Sequence, residues 1–330
     1  MDLNVIWLYG DFCAVLFKLK NALLVTGATG FIGRAVCAEV LRRGVSVRGS
    51  TRSVYKLLNG VEKIDLGGLE ACINWRDALK GCHAVVHLAA RAHVMKETAT
   101  HPLNEFRHIN VQGTLNLARQ AAEVGVRRFV FISSIGVNGA ESFHRPFRPE
   151  DEVAPHSPYA VSKYEAEIGL LSIAAETGLE IVIIRPPLVY GPHASGNFGA
   201  LTSWLSRGLP LPLGSIYNQR SLVALDNLVD FVITCISHPQ AVNQTFLVSD
   251  GQDLSTTELV RGMAQAAGVP ARLLPVPVWA LQAGAAFLGK SDAVQSLCGN
   301  LQVDISKASK LLSWVPPVSV EVGLKRAMAA

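Results

Sequence analysis

An apolar run that ends at a glycine loop and restarts as a helix constrains this chain more than any other feature. Ala22 to Thr26 is short and apolar, and Gly27-Ala28-Thr29-Gly30-Phe31-Ile32-Gly33 follows at once. Ile32, Val36, Val40 and Leu41 then recur at helical spacing as far as Gly44. A short apolar run closed by glycine suits a buried parallel strand, and glycine after a periodic run stops a helix. Between such elements Gly27 permits the tight turn, Gly30 lets the backbone approach a diphosphate, and Gly33 lets helix and strand pack closely. The helix N-terminus adds its partial positive charge. The first candidate contacts to a dinucleotide are therefore Gly27, Thr29, Gly30, Phe31, Ile32 and Gly33. Plain strand–helix turns also use glycine, but here the loop sits where the binding mechanism requires it.

The rhythm continues. Val45–Ser50, Ala84–Leu88, Phe129–Ser133 and Ile181–Arg185 read as strands. The segments near Trp75–Lys80, Asn104–Val124 and Pro158–Glu176 read as helices. Strands alternating with helices predict an α/β fold with a Rossmann-like, doubly wound parallel sheet. Beyond Gly191 the pattern breaks into Gly208, Pro210, Pro212 and Gly214. That break predicts a smaller C-terminal α/β substrate-binding cap, with Phe246–Ser249 returning to the sheet edge. The expected organisation is residues 1–21 as an extension of unknown role, 22–191 as the dinucleotide-binding domain, and 192–330 as mainly the substrate region.

Composition narrows the class. Hydrophobic residues are 49% and charged residues 17% of the chain, which excludes general disorder. The net charge is +4, but Arg42-Arg43 and Arg127-Arg128 are only pairs, so no nucleic-acid partner is expected. Cys13, Cys37, Cys72, Cys82, Cys235 and Cys298 show no Cys-x-x-Cys spacing, which argues against a metal site. A chain of this size without a cysteine framework suits a reducing compartment, hence the cytoplasm. Val5–Phe17 is too short and interrupted for a membrane span and lacks a cleavage-site pattern, so no integral span is expected. Val276–Gly289, opened by Pro275 and Pro277 and followed by Lys290, reads as a buried or half-buried helix. Peripheral membrane contact is the lesser alternative.

The candidate chemistry lies in Tyr159-Ala160-Val161-Ser162-Lys163, which sets Tyr159 and Lys163 four apart on one helix face. A phenol titrating near ~10 is a poor acid–base group, and an ammonium one turn away is expected to lower that value. Ser134, helped by Ser133, ends a strand and offers a hydroxyl for a substrate oxygen. Where NAD would call for an acid at the end of the second strand, the chain has Val47-Arg48-Gly49-Ser50-Thr51-Arg52-Ser53. Arg52, and less surely Arg48 or Arg34, suits a 2′-phosphate, which leans an NAD(P) site toward NADP(H).

With His87-Leu88-Ala89-Ala90, Asn110 and Arg185-Pro186-Pro187-Leu188-Val189-Tyr190-Gly191-Pro192 added, the chain from about Ala22 to its end resembles the extended short-chain dehydrogenases/reductases. These are the nucleotide-sugar epimerases, dehydratases and reductases. The resemblance implies that Leu88, Ala89, Ala90 and Pro186 line the cofactor site and that Lys163 also holds the nicotinamide ribose. It also implies that Arg220, opening Arg220-Ser221-Leu222-Val223-Ala224-Leu225-Asp226, contacts a substrate diphosphate, with Asp226 structural. Asn197 is a further substrate candidate, and the Asn104–Val124 and Pro158–Glu176 helices imply a homodimer. One departure stands out: Val137-Asn138-Gly139 replaces the family's Val-Tyr-Gly, whose tyrosine shapes the sugar pocket.

Dehydratases of that family carry an acid pair after the serine. Here Ile135-Gly136 follows Ser134, so dehydration is disfavoured. The main expectation is reduction of a UDP-4-keto-6-deoxy-N-acetylhexosamine at C4, in surface-polysaccharide synthesis. The alternative is a UDP-glucose or UDP-N-acetylglucosamine 4-epimerase with tightly bound NAD. A non-catalytic NAD(P)-binding regulator is the reading from another class, weakened because Tyr159 and Lys163 are both present.

Overall fold

The computed structural model describes residues 22–51, 57–66, 68–70, 72–92, 101–287, 289 and 291–329. Its strands are β1 (Ala22–Thr26), β2 (Val47–Ser50), β3 (Val61–Ile64), β4 (Cys82–His87), β5 (Arg128–Ile132), β6 (Glu180–Arg185), β7 (Leu188–Tyr190), β8 (Leu222–Ala224) and β9 (Gln244–Leu247). Seven of them form one sheet in the order β3-β2-β1-β4-β5-β6-β9. The pairings β3–β2, β2–β1, β1–β4, β4–β5 and β5–β6 are all parallel. Parallel neighbours need crossovers on the sheet faces, which is why the inner strands are buried almost throughout. The strand order reverses between β1 and β4, where Thr26 lies in register with His87. In open α/β sheets ligands bind at the carboxyl ends of the strands at such a switch point.

The chain divides into two compact units. Of the described residues, the first takes those between 22 and 133, 158–184 and 231–245; the second takes 134–157, 185–230 and those between 246 and 329. In the first, Leu24, Val85, Phe129, Phe131, Ile181 and Ile183 meet Leu117, Ala121, Leu170 and Ile173 in one apolar core. Arg128, almost fully buried, is held by Glu180 and by the carbonyls of Cys235, Ile236 and His238. In the second unit, β7 pairs with β8, and Tyr190, Phe198, Leu211, Leu222, Val260 and Leu324 form a separate core.

One predicted helix turns out differently. The segment expected as one helix over Asn104–Val124 runs as helix Pro102–Phe106, a π-helical stretch Arg107–Gly113, and helix Thr114–Glu123. Gly113 explains part of this: a Cβ there would stand closer to the Leu69 carbonyl oxygen than any contact allows. The wider turn also carries Asn110 inward, where its amide bonds the backbone of Arg91 and the Ser162 hydroxyl. The helix expected over Val276–Gly289 runs Val278–Phe287 and is half-buried: Val278 and Leu281 pack on the second unit's core and Ala285 is buried, while Trp279 is 71% and Phe287 91% exposed. No helix among the described residues is long and apolar enough to cross a membrane.

Candidate active site

In the first unit the glycine loop leaves β1 and opens the Phe31–Arg42 helix. Gly27 takes φ +68°, and a Cβ on it would lie 3.0 Å from the Ala89 nitrogen. At Gly33 a Cβ would fall 2.1 Å from the Gly27 carbonyl oxygen, so only glycine lets the helix start this close to the strand. Gly30 caps the helix without a side-chain hydrogen bond, and its first turn holds no acid. The terminal N–H groups therefore offer themselves to an anion. A cavity of about 470 Å³ opens there, lined among others by Gly27, Thr29, Gly30, Ser50, Thr51, Leu88, Ala89 and Ala90. Phe31 and Ile32 occupy the first helical turn, half-buried. Thr29 and Thr51 share a hydrogen bond of 2.9 Å. This uncapped, acid-free helix start and a loop where a Cβ would collide with backbone fit a dinucleotide diphosphate.

The switch point is pinned beneath the cavity. Thr26 Oγ1 lies 2.7 Å from His87 Nδ1, and His87 Nε2 lies 2.9 Å from Thr114 Oγ1. The amides of Leu88 and Ala89 both donate to Thr26 Oγ1. Burial, reinforced by the charge on Lys163, pushes the His87 ring down to about 3, so it is neutral.

Tyr159 and Lys163 share the Pro158–Thr177 helix of the same unit. Lys163 Nζ donates to the Ile132 carbonyl at 2.7 Å, lies 4.3 Å from the Phe131 ring centre and 5.9 Å from that of Tyr159. Here the expectation of an acidified phenol is corrected. Burial pushes Tyr159 up to about 12, and the same desolvation pulls Lys163 down to about 7, with Glu167 opposing it. Ser133 is not idle: its hydroxyl donates to buried Glu167, one turn beyond Lys163, at 2.5 Å. Sequence reasoning missed Glu167. The signal was present in the four-residue step from Lys163, which puts both on one helix face.

In the second unit Ser134 Oγ accepts the Gly136 N–H and so caps the short turn Ile135–Val137. Pro186 is buried, and its carbonyl accepts from the Ile135 N–H. Asn138, in the place of the family's tyrosine, is buried between the Arg148 carbonyl and the Arg185 guanidinium. Asn197 is exposed and donates to Ser296 at 3.3 Å. Arg220 sits in paired backbone, bridged to Leu254 and Leu301, and its guanidinium donates to the Gly299 carbonyl at 2.9 Å. Burial weighs against its charge, with Glu141 and Cys298 opposing. Asp226 pairs with Arg326, not with Arg220. No His/Cys/Asp/Glu cluster fit for a metal occurs among the described residues.

Fold and loop together define a protein that binds a dinucleotide on a Rossmann-like sheet. The family model "NAD dependent epimerase/dehydratase family" matches residues 23–249, and the chain belongs to that family. It is 45% identical to the UDP-glucose 4-epimerase of Vibrio cholerae, over 95% of this chain and 96% of the relative. It superposes on the UDP-glucose 4-epimerase of Thermotoga maritima, solved with UDP-glucose, with a TM-score of 0.75 and 24% identity. The match covers 93% of this chain and 97% of the other. The UDP-glucuronic acid 4-epimerase of Bacillus cereus, solved in complex with NAD, gives a TM-score of 0.74 at 21% identity, covering 93% and 96%. The chain is thus an NAD(P)-dependent enzyme of the nucleotide-sugar C4 class.

The leaning toward NADP(H) does not stand, since a solved relative of this fold carries NAD. Arg48 is engaged by Glu62 and by the carbonyls of Ala78 and Lys80. Arg34 is exposed on the helix, and Arg52 lies outside the described residues.

Proposed function

We propose that the chain is a UDP-hexose 4-epimerase, interconverting UDP-glucose and UDP-galactose or their N-acetylated counterparts with NAD retained in the site. The observation that carries this is the 45% identity, over nearly the whole of both chains, to a UDP-glucose 4-epimerase. It displaces the 4-keto reductase favoured by the lone argument from arginines after β2. The absence of a carboxylate after Ser134 keeps dehydration disfavoured.

Bound NAD supplies the acceptor and donor for a hydride at C4. The Gly27–Gly33 loop and the helix start behind it bind the cofactor diphosphate, with Leu88, Ala89, Ala90 and Pro186 as further lining. Tyr159 takes the proton from the sugar's O4 and returns it. A phenol held near 12 resists that step, so a charged Lys163 is required to favour the phenolate. Glu167 favours that charge. Ser134 holds the substrate oxygen, with Ser133 acting through Glu167. Arg220 and Asn197 are the candidates for the substrate's diphosphate and sugar ends. A homodimer through the Pro158–Thr177 helix belongs to the same reading.

The test is turnover of UDP-galactose by the purified enzyme with no dinucleotide added, reading UDP-glucose through a coupled dehydrogenase. Formation of UDP-glucose, with NAD released on denaturing the protein, is expected. Activity confined to a 4-keto sugar with added NADPH would restore the reductase.

A further inference from the structure

We propose that the second unit carries a docking surface for an anionic lipid bilayer, centred on the Val278–Phe287 helix. Val278 and Leu281 of this helix pack into the core formed by Leu205, Leu211 and Leu213, so its attachment to the unit is secure. Gln282 apart, its remaining face is apolar and turned to water, with Trp279 and Phe287 its exposed large side chains. A helix that is apolar on every side is normally buried, so an outward apolar face of this kind marks a partner. The neighbouring backbone extends it. Residues 208–214 run alongside 272–275 through Leu211 N–H to Arg272 O, Leu274 N–H to Leu211 O and Gly214 N–H to Leu274 O. Leu209 and Leu274 on this ribbon are exposed, as is Trp204 in the last turn of the Gly196–Ser206 helix, just before it.

Charge decides the occupant. No Asp or Glu occurs in residues 181–225 or 259–291, and Arg207 and Arg272 are exposed beside the apolar side chains. Tryptophan and phenylalanine beside arginine is the composition that lies in the headgroup region of an anionic membrane, and the first acid after the helix is Asp292. A second copy of the same face would bring Arg207 and Arg272 toward their own copies, which disfavours self-association there.

The test is co-sedimentation of the full-length protein with vesicles of phosphatidylglycerol and phosphatidylethanolamine, against vesicles of phosphatidylcholine alone. The wild type is expected to partition onto the anionic vesicles, and to leave them as salt is raised from about 0.1 to 1 M. The double variant Trp279→Ser/Phe287→Ser should lower that partitioning by at least about tenfold. Arg207→Glu, which leaves every apolar side chain in place, should lower it as well, so a folding defect in the double variant would not spoil the test. Equal binding of wild type to both kinds of vesicle, or to neither, would overturn the proposal. So would Arg207→Glu and the double variant binding as wild type does. If instead the double variant halves the mass seen by light scattering while wild type ignores vesicles, the face joins copies of this chain and the proposal fails.

Discussion

Lys163 shows how much a single residue's chemistry depends on where the fold puts it. Its pKa falls from 10.5 to about 7 because burial removes water from the ammonium. Between those values the unfolded chain holds a proton that the folded chain has begun to release. Stability from this group therefore rises as pH climbs from about 7 toward 10.5, and at neutral pH its charge works against folding. Lys163→Met is expected to unfold at higher urea than wild type at pH 7 in the ligand-free protein, with the gap shrinking toward pH 10. The same variant should lose on the order of 10²–10⁴-fold in turnover, as should Tyr159→Phe. Urea titrations at the two pH values read the first effect and the coupled assay the second. A variant less stable than wild type at neutral pH would show that the bond to Ile132 outweighs desolvation. The Tyr159/Lys163 pair was legible in the sequence because a four-residue step needs only helical geometry. The direction of both pKa shifts was not, because burial is a property of the packed molecule. The Lys163–Glu167–Ser133 cluster joins a strand end to the middle of a helix, and a spacing rule reaches only the helical half.

Elements built on local rules came through almost to the residue, while elements shaped by distant contacts did not. The strand Ala22–Thr26 and the helix from Phe31 have glycine punctuation and a clear period, which the chain satisfies locally. The π-helical stretch Arg107–Gly113 instead ends at a glycine set against the Leu69 carbonyl, forty-four positions away. The Val278–Phe287 helix lies where its apolar run puts it, half-buried through Val278 and Leu281, but apolar composition carries no record of which face stays open. The glycine loop is where local rule and tertiary contact coincide, and it can be tested as such. Gly33→Ala places a methyl 2.1 Å from a backbone carbonyl, which no side-chain rotation relieves. A loss of about 1–3 kcal/mol in stability is expected, as for overpacking at a rigid contact. Retained NAD should fall with it. Gly30→Ala, whose methyl would meet the same carbonyl oxygen at 3.2 Å, should cost the fold less while still obstructing the diphosphate. Thermal melts and the NAD content of the purified variants measure both, and equal melting of Gly33→Ala and wild type would contradict the close packing argued for this turn.

At the scale of the whole molecule the open question is the number of copies. On the Pro158–Thr177 helix, Ile168 and Leu171 are exposed aliphatic side chains one turn apart, on a helix whose inner face is already buried. Leu115 does not join them: it packs within the unit, where its side chain lies against Gly169. Along residues 104–124 and 158–177, the exposed large aliphatic side chains therefore sit on one face of the Pro158–Thr177 helix. Each aliphatic side chain withdrawn from water contributes roughly 1.5–3 kcal/mol, less the cost of association. A twofold axis makes every substitution count twice. Ile168→Glu/Leu171→Glu also sets like charges against one another across that axis. Wild type is expected at twice 35.4 kDa in light scattering at micromolar concentration, and the double variant at 35.4 kDa. The dissociation constant should rise by at least about 10³-fold. Because both side chains face water in the single chain, the variant's thermal unfolding should be independent of protein concentration while that of wild type rises with it. A wild type already monomeric under these conditions, or a double variant that keeps the dimer mass, would remove this helix from the interface.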